Sequence, residues 1–359
     1  ASGLYDGTYR FASSHRWGFF PSMSLGWRIS EEKFFAPIKN TMNNFKLRYS
    51  YGSLGNQLVG YYDYIRKIAI GTGSYTFGSG SKPTIATIGA PVASNLTWEK
   101  TLQHDLGVDL AFFGNRLMFT ADAYIRDTKD MLTAGVALPA VYGASSPKMN
   151  AADLRTKGYE FQLSWRDGFN LFGEPFNYSV TASFSDYITE ITKFDNPERT
   201  FAKSYYAGMR MGEIWGYHTG GLFRKDAEAA DYKIDQTFVN QAIISAAGEE
   251  RGLHGGDVKF LDLNGDGVVN QGKNTVDDPG DRTIIGNNQP RYNYGINLSV
   301  QYFCFDFGIF FQGVGKMDWA PAANNVLFYG PYARPYATLI PKDFHKKIWS
   351  EDNPDAYLP

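Results

Sequence analysis

The sequence predicts an all-β chain, a transmembrane antiparallel β-barrel segment, and three observations predict it. Apolar and polar residues alternate with a period of two over eight segments of about the ten residues that a tilted membrane strand needs. The connections between these segments are alternately short and long. Aromatic residues make up 16% of the 359 residues, with 24 Tyr, 27 Phe and 38 Gly, while the mean hydropathy is only −0.34. Many aromatics with middling hydropathy suit strands that have one greasy face.

In chain order, the first segment is 16–29, with Pro21, Met23, Leu25, Trp27 and Ile29 on one face. Weaker alternation continues through 44–53 and 98–112. The clearest segment is 117–126, where Leu117, Phe119, Ala121, Ala123 and Ile125 oppose Thr120, Asp122, Tyr124 and Arg126. Next, Tyr159, Phe161, Leu163 and Trp165 alternate with Glu160, Gln162, Ser164 and Arg166. Phe176 to Ser185 and Tyr292 to Tyr302 repeat the pattern, each with a polar face of Ser, Thr, Asn, Gln or Gly. The last segment is 305–314, where Phe305, Phe307, Ile309 and Phe311 share a face.

Short connections fall at 30–43, 113–116, 167–175 and 303–304, and long ones at 54–97, 127–157, 186–290 and 315–359. Short periplasmic turns and long extracellular loops are the habit of an outer-membrane barrel, whereas a compact soluble domain rarely carries such long structureless connections. Within 186–290, residues 212–223 are expected to form a further strand or hairpin outside the membrane, because counting them as a span would break the up-down parity. The competing fold is a soluble β-sandwich, which alternates in the same way. Against it stand aromatics near the strand ends, such as Trp17, Trp27, Trp165 and Tyr302, where a membrane girdle would lie, and small neutral polar faces suited to an aqueous lumen.

Composition excludes other classes. No stretch reaches the ~18 apolar residues of a spanning helix. With 35 basic against 37 acidic residues and no basic block, nucleic acid is not an expected partner. One cysteine, Cys304, leaves neither a disulfide framework nor a thiolate cluster. The histidines show no paired metal spacing and no nucleophile elbow adjoins them, so no enzyme is expected. Asp122 and Glu160 read as solvated wall charges. Tyr61, Tyr62, Tyr64, Tyr75 and Phe77 in the first long loop suit either stacking on sugar rings or packing at a lid.

One local motif carries chemistry. Asp262, Asn264 and Asp266 at alternate positions, Gly267 at the sharp turn and the Val268 carbonyl reproduce the start of an EF-hand-like calcium loop. Position 12 is Lys273, so the usual closing carboxylate is missing; Asp277, Asp278 and Asp281 follow. The alternative is an Asx-rich turn.

Several segments, taken in order, resemble the SusC/RagA-like TonB-dependent outer-membrane transporters of Bacteroidota. They are Phe20-Pro21-Ser22-Met23-Ser24-Leu25-Gly26-Trp27-Arg28-Ile29-Ser30-Glu31-Glu32, Leu47-Arg48-Tyr49-Ser50-Tyr51-Gly52 with Gly55-Asn56, and Leu96-Thr97-Trp98-Glu99-Lys100-Thr101. Asn115-Arg116-Leu117, Thr128-Lys129-Asp130-Met131-Leu132, the acidic loop with Asp281-Arg282-Thr283-Ile284-Ile285-Gly286, and Phe311-Gln312-Gly313-Val314-Gly315 follow. The resemblance implies a 22-stranded barrel in the bacterial outer membrane, filled by a plug, capped by a SusD-like surface lipoprotein and energised by the TonB-ExbB-ExbD complex. It implies import of nutrient oligomers, glycan or peptide. It also makes Asp281 the carboxylate that closes a Ca2+ site with Asp262, Asn264, Asp266 and Val268, after an insertion of roughly eight residues.

Residues 1–359 are thus expected to be part of that barrel, without plug or final strands, and 255–290 an extracellular loop with the calcium-like motif. The alternatives are a passive porin or surface adhesin on a similar barrel, and a soluble sugar-binding β protein.

Overall fold

The computed structural model describes residues 1–359 apart from 77, 79, 90, 94, 136–138, 140, 142, 144–145, 240–251, 323–324, 326–338 and 341. Its elements are β1 (Ser2–Gly7), β2 (Trp17–Arg28), β3 (Met42–Asn56), β4 (Ile68–Thr72), β5 (Thr84–Ile88), β6 (Glu99–Phe112), β7 (Leu117–Ala134), β8 (Lys148–Leu171) and β9 (Glu174–Lys193). Then come β10 (Glu213–Tyr217), β11 (Thr219–Leu222), helix α1 (Asp226–Asp231), β12 (Val258–Phe260), β13 (Arg282–Asn287), β14 (Arg291–Tyr302) and β15 (Phe305–Lys316). Two compact units result: residues 1–197, 205–211 and 290–316, and residues 198–204, 212–289 and 317–359.

In the first unit, nine strands form one antiparallel sheet in the order β1-β2-β3-β6-β7-β8-β9-β14-β15. All eight expected spans are present. β1 is an addition; it pairs with β2 and is one edge, with β15 the other, so the described sheet is open. β4 and β5 form a separate hairpin within the first long connection.

The register carries the alternation from strand to strand. Trp27, Leu47, Val108, Ala121, Phe161, Phe184 and Tyr294 are successive cross-strand partners on one face. One residue along, Arg48, Gly107, Asp122, Glu160, Ser185 and Asn293 make the matching polar row. The greasy row is not covered by another layer. Leu25 is 65% exposed, Leu163 46% and Phe307 60%. A soluble sandwich would bury this face; a membrane wall turns it to lipid. Rings on this face also pack along the sheet, with Phe119–Phe161, Phe161–Phe184 and Phe184–Tyr292 centroids 6.2, 6.5 and 6.4 Å apart.

Two rings are seated in glycine notches. A Cβ at Gly158 would lie 2.5 Å from Cζ of Tyr124, its partner on the polar face. On the apolar face, a Cβ at Gly313 would lie 2.5 Å from Cζ of Tyr294, again its direct partner.

Several boundaries differ from expectation. The connection expected at 167–175 shrinks to 172–173, a two-residue hairpin with Phe172 and Gly173 at φ 51° and 90°, as a type I′ turn requires. The connection expected at 127–157 shrinks to 135–147, and the long connection after β9 starts at 194 instead of 186. β8 has 24 residues and β9 has 20, about twice what a membrane crossing uses. The excess extends beyond the membrane crossing, where loop residues pack on it, with Ala152 buried and Asn150 bonded to Thr97, and alternation fades. Cross-strand ion pairs hold it: Lys129–Asp153 at 3.0 Å and Arg155–Asp127 at 2.7 Å.

At the long-connection end of β2, β3 and β6, a small dry cluster of Phe11, Phe20, Val59, Ala93, Leu96 and Trp98 ties the connections to the wall. Trp98 packs edge-on against Phe11 and Phe20 and donates its Nε1–H to the Arg16 carbonyl at 3.1 Å.

The second unit has its own core, in which Phe223 and Val269 are wholly buried and Ala229 nearly so. Residues 212–223 do form strands outside the large sheet, yet not a hairpin: β10 pairs with β13, and β11 with β12. Buried Gln236 bonds the strand edge, donating to the Val258 carbonyl at 2.8 Å and accepting from Phe260 N–H at 3.1 Å. Among the described residues, no helix is long and apolar enough to cross a membrane.

Candidate functional site

The polar face of the nine-stranded sheet is the candidate transport surface, because alternation puts every second side chain of each strand on it. Its two halves differ. Along the middle of β9 and β14 it is neutral, with Asn177, Ser179, Thr181, Ser183 and Ser185 beside Gln301, Ser299, Asn297, Gly295 and Asn293. Along β3, β6 and β7 it is charged. Arg48 donates Nε and Nη2 to Asp109 at 2.9 and 3.1 Å, and Nη2 also pairs with Asp122 at 2.9 Å. Asp122 is therefore paired with Arg48, which it shares with Asp109, in keeping with a wall charge. Three strands share one guanidinium, a planar fork suited to bridging two carboxylates.

The rim is formed by the connections at the far ends of these strands. Tyr9, in the 8–16 connection, stacks on Tyr61 with centroids 5.8 Å apart and planes at 8°. Tyr62 lies 6.4 Å from Tyr9, and Tyr64 lies 6.4 Å from Tyr62. The Arg10 guanidinium caps Tyr61 at 4.3 Å and bonds the Val59 carbonyl. The tyrosines expected from the sequence at 61, 62 and 64 thus come together. Phe77 lies outside the described residues. Tyr9 and Arg10 went unforeseen, because nothing in the local sequence links residue 9 to residue 61.

The acidic loop lies in the second unit. Asp262 accepts N–H bonds from Gly265 at 2.7 Å and Gly267 at 2.8 Å, which hold its carboxyl below the usual carboxylate range, the Gly267 amide foremost. Asn264 Oδ1 accepts from Asp266 N–H, and Asp266 Oδ1 from Val268 N–H. Gly265 and Gly267 take φ of 80° and 86°, the left-handed turns that the motif demands. Asp281, at the end of the inserted stretch, does come to this loop. It is wholly buried and accepts amides of Leu263 at 2.8 Å, Asn264 at 3.4 Å and Asn270 at 2.8 Å. Three of its four lone-pair positions are thereby used, so it has room for one further bond, not for bidentate closure. Among the described residues, no three His, Cys, Asp or Glu side chains converge as a metal-holding group.

Comparison with known proteins agrees with the fold. Residues 2–339 match the family described as TonB dependent receptor-like, beta-barrel. TonB-dependent receptor P39 of Formosa agariphila is 29% identical over 333 residues, 87% of this chain and 30% of that protein. TonB-dependent receptor SusC of Bacteroides thetaiotaomicron is 27% identical over 334 residues, 90% of this chain and 29% of its own length. The chain spans about a third of the curated relatives it matches. The structure of the RagAB peptide transporter aligns with a TM-score of 0.67 and 21% identity, covering 98% of this chain and 35% of that one. An open sheet with one lipid-suited face, a polar opposite face, short turns and long loops is what a portion of such a barrel must show, and the chain belongs to the TonB dependent receptor-like β-barrel family, in the bacterial outer membrane.

Proposed function

We propose that the protein of which this wall is a part imports nutrient oligomers, glycan or peptide, across the outer membrane with energy from the TonB-ExbB-ExbD complex. The observation that carries the reading is the polar face: a surface of Ser, Thr, Asn and Gln running the height of β9 and β14 suits a wide aqueous cavity, while the reverse face suits lipid. A cavity of that width needs a plug below and a lid above, and a SusD-like surface lipoprotein fits the second role. Selection then falls to the loops and lid, and work from the inner membrane releases the cargo. Uptake of oligomers should cease when TonB is deleted; uptake that continues unchanged would favour a passive porin.

The reading extends to Ca2+ in the acidic loop, with Asp262, Asn264, Asp266, the Val268 carbonyl and a monodentate Asp281 as ligands. Support comes from the oxygens at alternate positions and from the arrival of Asp281 beside them. Adding calcium to chelator-stripped, full-length protein should raise amide-exchange protection across 255–290 and leave the wall strands unchanged; no change in the loop removes the ion from the reading.

A further inference from the structure

We propose that the tips of the short turns, led by Phe113, Phe172 and Phe303, are anchors in the inner leaflet of the outer membrane, so that the bilayer boundary lies at the turns themselves. The motivating observation is a repeated breach of a local rule. In the connections 113–116, 172–173 and 303–304, the first residue after the strand is Phe, and each takes a left-handed backbone, with φ of 54°, 51° and 53°. Tight turns put Asn, Asp or Gly at such a position, and a bulky side chain is an outlier there. Gly114 and Gly173, the next residues in two of the turns, keep to the rule with φ of 68° and 90°. A turn in water gains nothing from Phe. The same exception at three separate turns therefore points to a common demand on the ring.

The rings continue a surface that already meets lipid. Phe112, Leu117, Trp165 and Val180 are successive cross-strand partners in a greasy row. The Phe113 ring leans on that row, 6.2 Å from Phe112 and 6.5 Å from Trp165. Phe172 and Phe303 cap β8 and β14, whose last lipid-side rings pack together through β9, with Phe169–Phe176 and Phe176–Tyr302 centroids 5.0 and 6.0 Å apart. The fourth short connection meets the same demand by another route. There Phe35 is buried, its ring 6.2 Å from Phe45, and Phe45 stands in the row of Leu110 and Phe119.

The chemistry around the rings names the partner. Trp165 donates its Nε1–H to the Tyr178 hydroxyl at 3.2 Å, and the Tyr302 hydroxyl donates to the Leu171 carbonyl at 3.3 Å. Rings with one apolar and one polar end mark the water-side margin of a bilayer. Phe has no polar end, so at a tip its area would be left in water unless the tip is submerged. Arg116, paired with Asp167 at 3.4 Å, and Glu174 stand beside the rings, as charged chain ends do at headgroup depth. A periplasmic protein would need a surface cut to three separate tips, whereas a leaflet receives each turn independently.

The test uses the full-length protein folded into phosphatidylcholine vesicles with no other protein present. A nitroxide is attached at Phe172→Cys or Phe303→Cys after every native cysteine, Cys304 included, is replaced by serine. Its collisions with oxygen, which concentrates in lipid, are compared with its collisions with an aqueous nickel chelate. Oxygen should win several-fold at both tips; a ratio that favours the chelate at either tip overturns the anchor, and tips that meet a periplasmic protein would give that ratio here. A second measurement sets the turn's own preference against the leaflet. Phe172→Asn and Phe303→Asn supply the residue that a left-handed turn favours, yet each should shift the urea midpoint of the vesicle-bound protein downward, while Phe172→Trp should hold it. Asn midpoints equal to or above wild type would overturn the proposal, and if an Asn variant does not fold the nitroxide ratio decides.

Discussion

The wall and the second unit follow opposite burial rules within one chain. In the sheet of nine strands, Leu25, Leu163 and Phe307 lie exposed on one face, and the interior that a soluble protein would have is absent from that face. In the second unit, Phe223 and Val269 are wholly buried and Gln236 is sealed by backbone partners. The difference teaches that hydrophobic residues here report the solvent each region meets, lipid for the strands and water for the inserted segment. A substitution that is harmless in one region should be costly in the other.

The largest effect should break the inserted region alone. Phe223→Ala removes a wholly buried ring that packs edge-on against Tyr232 at 5.1 Å, and should cost about 3–5 kcal/mol locally. Hydrogen exchange should accelerate in residues 212–289 and stay unchanged in β6 to β9; equal loss in both would mean that the two regions unfold together. Next, Leu163→Lys places a charge on the greasy face of β8 and should destabilise the full-length protein by about 2–4 kcal/mol if it lies near the bilayer midplane. Urea titration of protein folded into vesicles measures this, and a cost near zero would contradict a lipid-facing role.

A smaller effect is expected at the acidic loop. Asp281→Asn keeps the shape but replaces one accepting oxygen by a donor facing backbone amides, which should cost about 1–3 kcal/mol, seen as faster proteolysis within 255–290. The smallest concerns pH. The Asp262 carboxyl is held below its unfolded value by amide hydrogen bonds, so its contribution is present above about pH 4 and is lost as pH falls through the lower folded value. Exchange in 262–270 should therefore rise only on acidification below that point, with the wall unaffected.

Much of the wall was legible because period-two alternation is a direct record of two different solvents on two faces. It failed where that contrast disappears. The outer part of β8 is covered by loop residues instead of lipid, with Ala152 buried, Met149 packed on the dry cluster and Asn150 bonded to Thr97, so these positions follow no period of two and the sequence shows a loop there. β1 escaped because Leu4 and Tyr5 are adjacent apolar residues on opposite faces of an edge strand. The second unit is built from strands of three to six residues, too short to show a period, and only its acidic turn announced itself through residue type. The Tyr9–Tyr61 pairing depends on chain segments about fifty residues apart and was invisible until the fold joined them.

The two notched glycines bear on how the strands find their alignment. Alternation forbids sliding one strand by a single position, since that would turn its greasy side inward, but it tolerates a slide of two. Such a slide would set the Tyr124 ring against Glu160 or Thr156 in place of Gly158, and the Tyr294 ring against Phe311 or Gly315 in place of Gly313. The Tyr124 ring and its missing side chain therefore act as a key cut for one position, ruling out mispairings to which a pattern of grease and polarity is blind, whereas the Tyr294 notch excludes only the slide that meets Phe311.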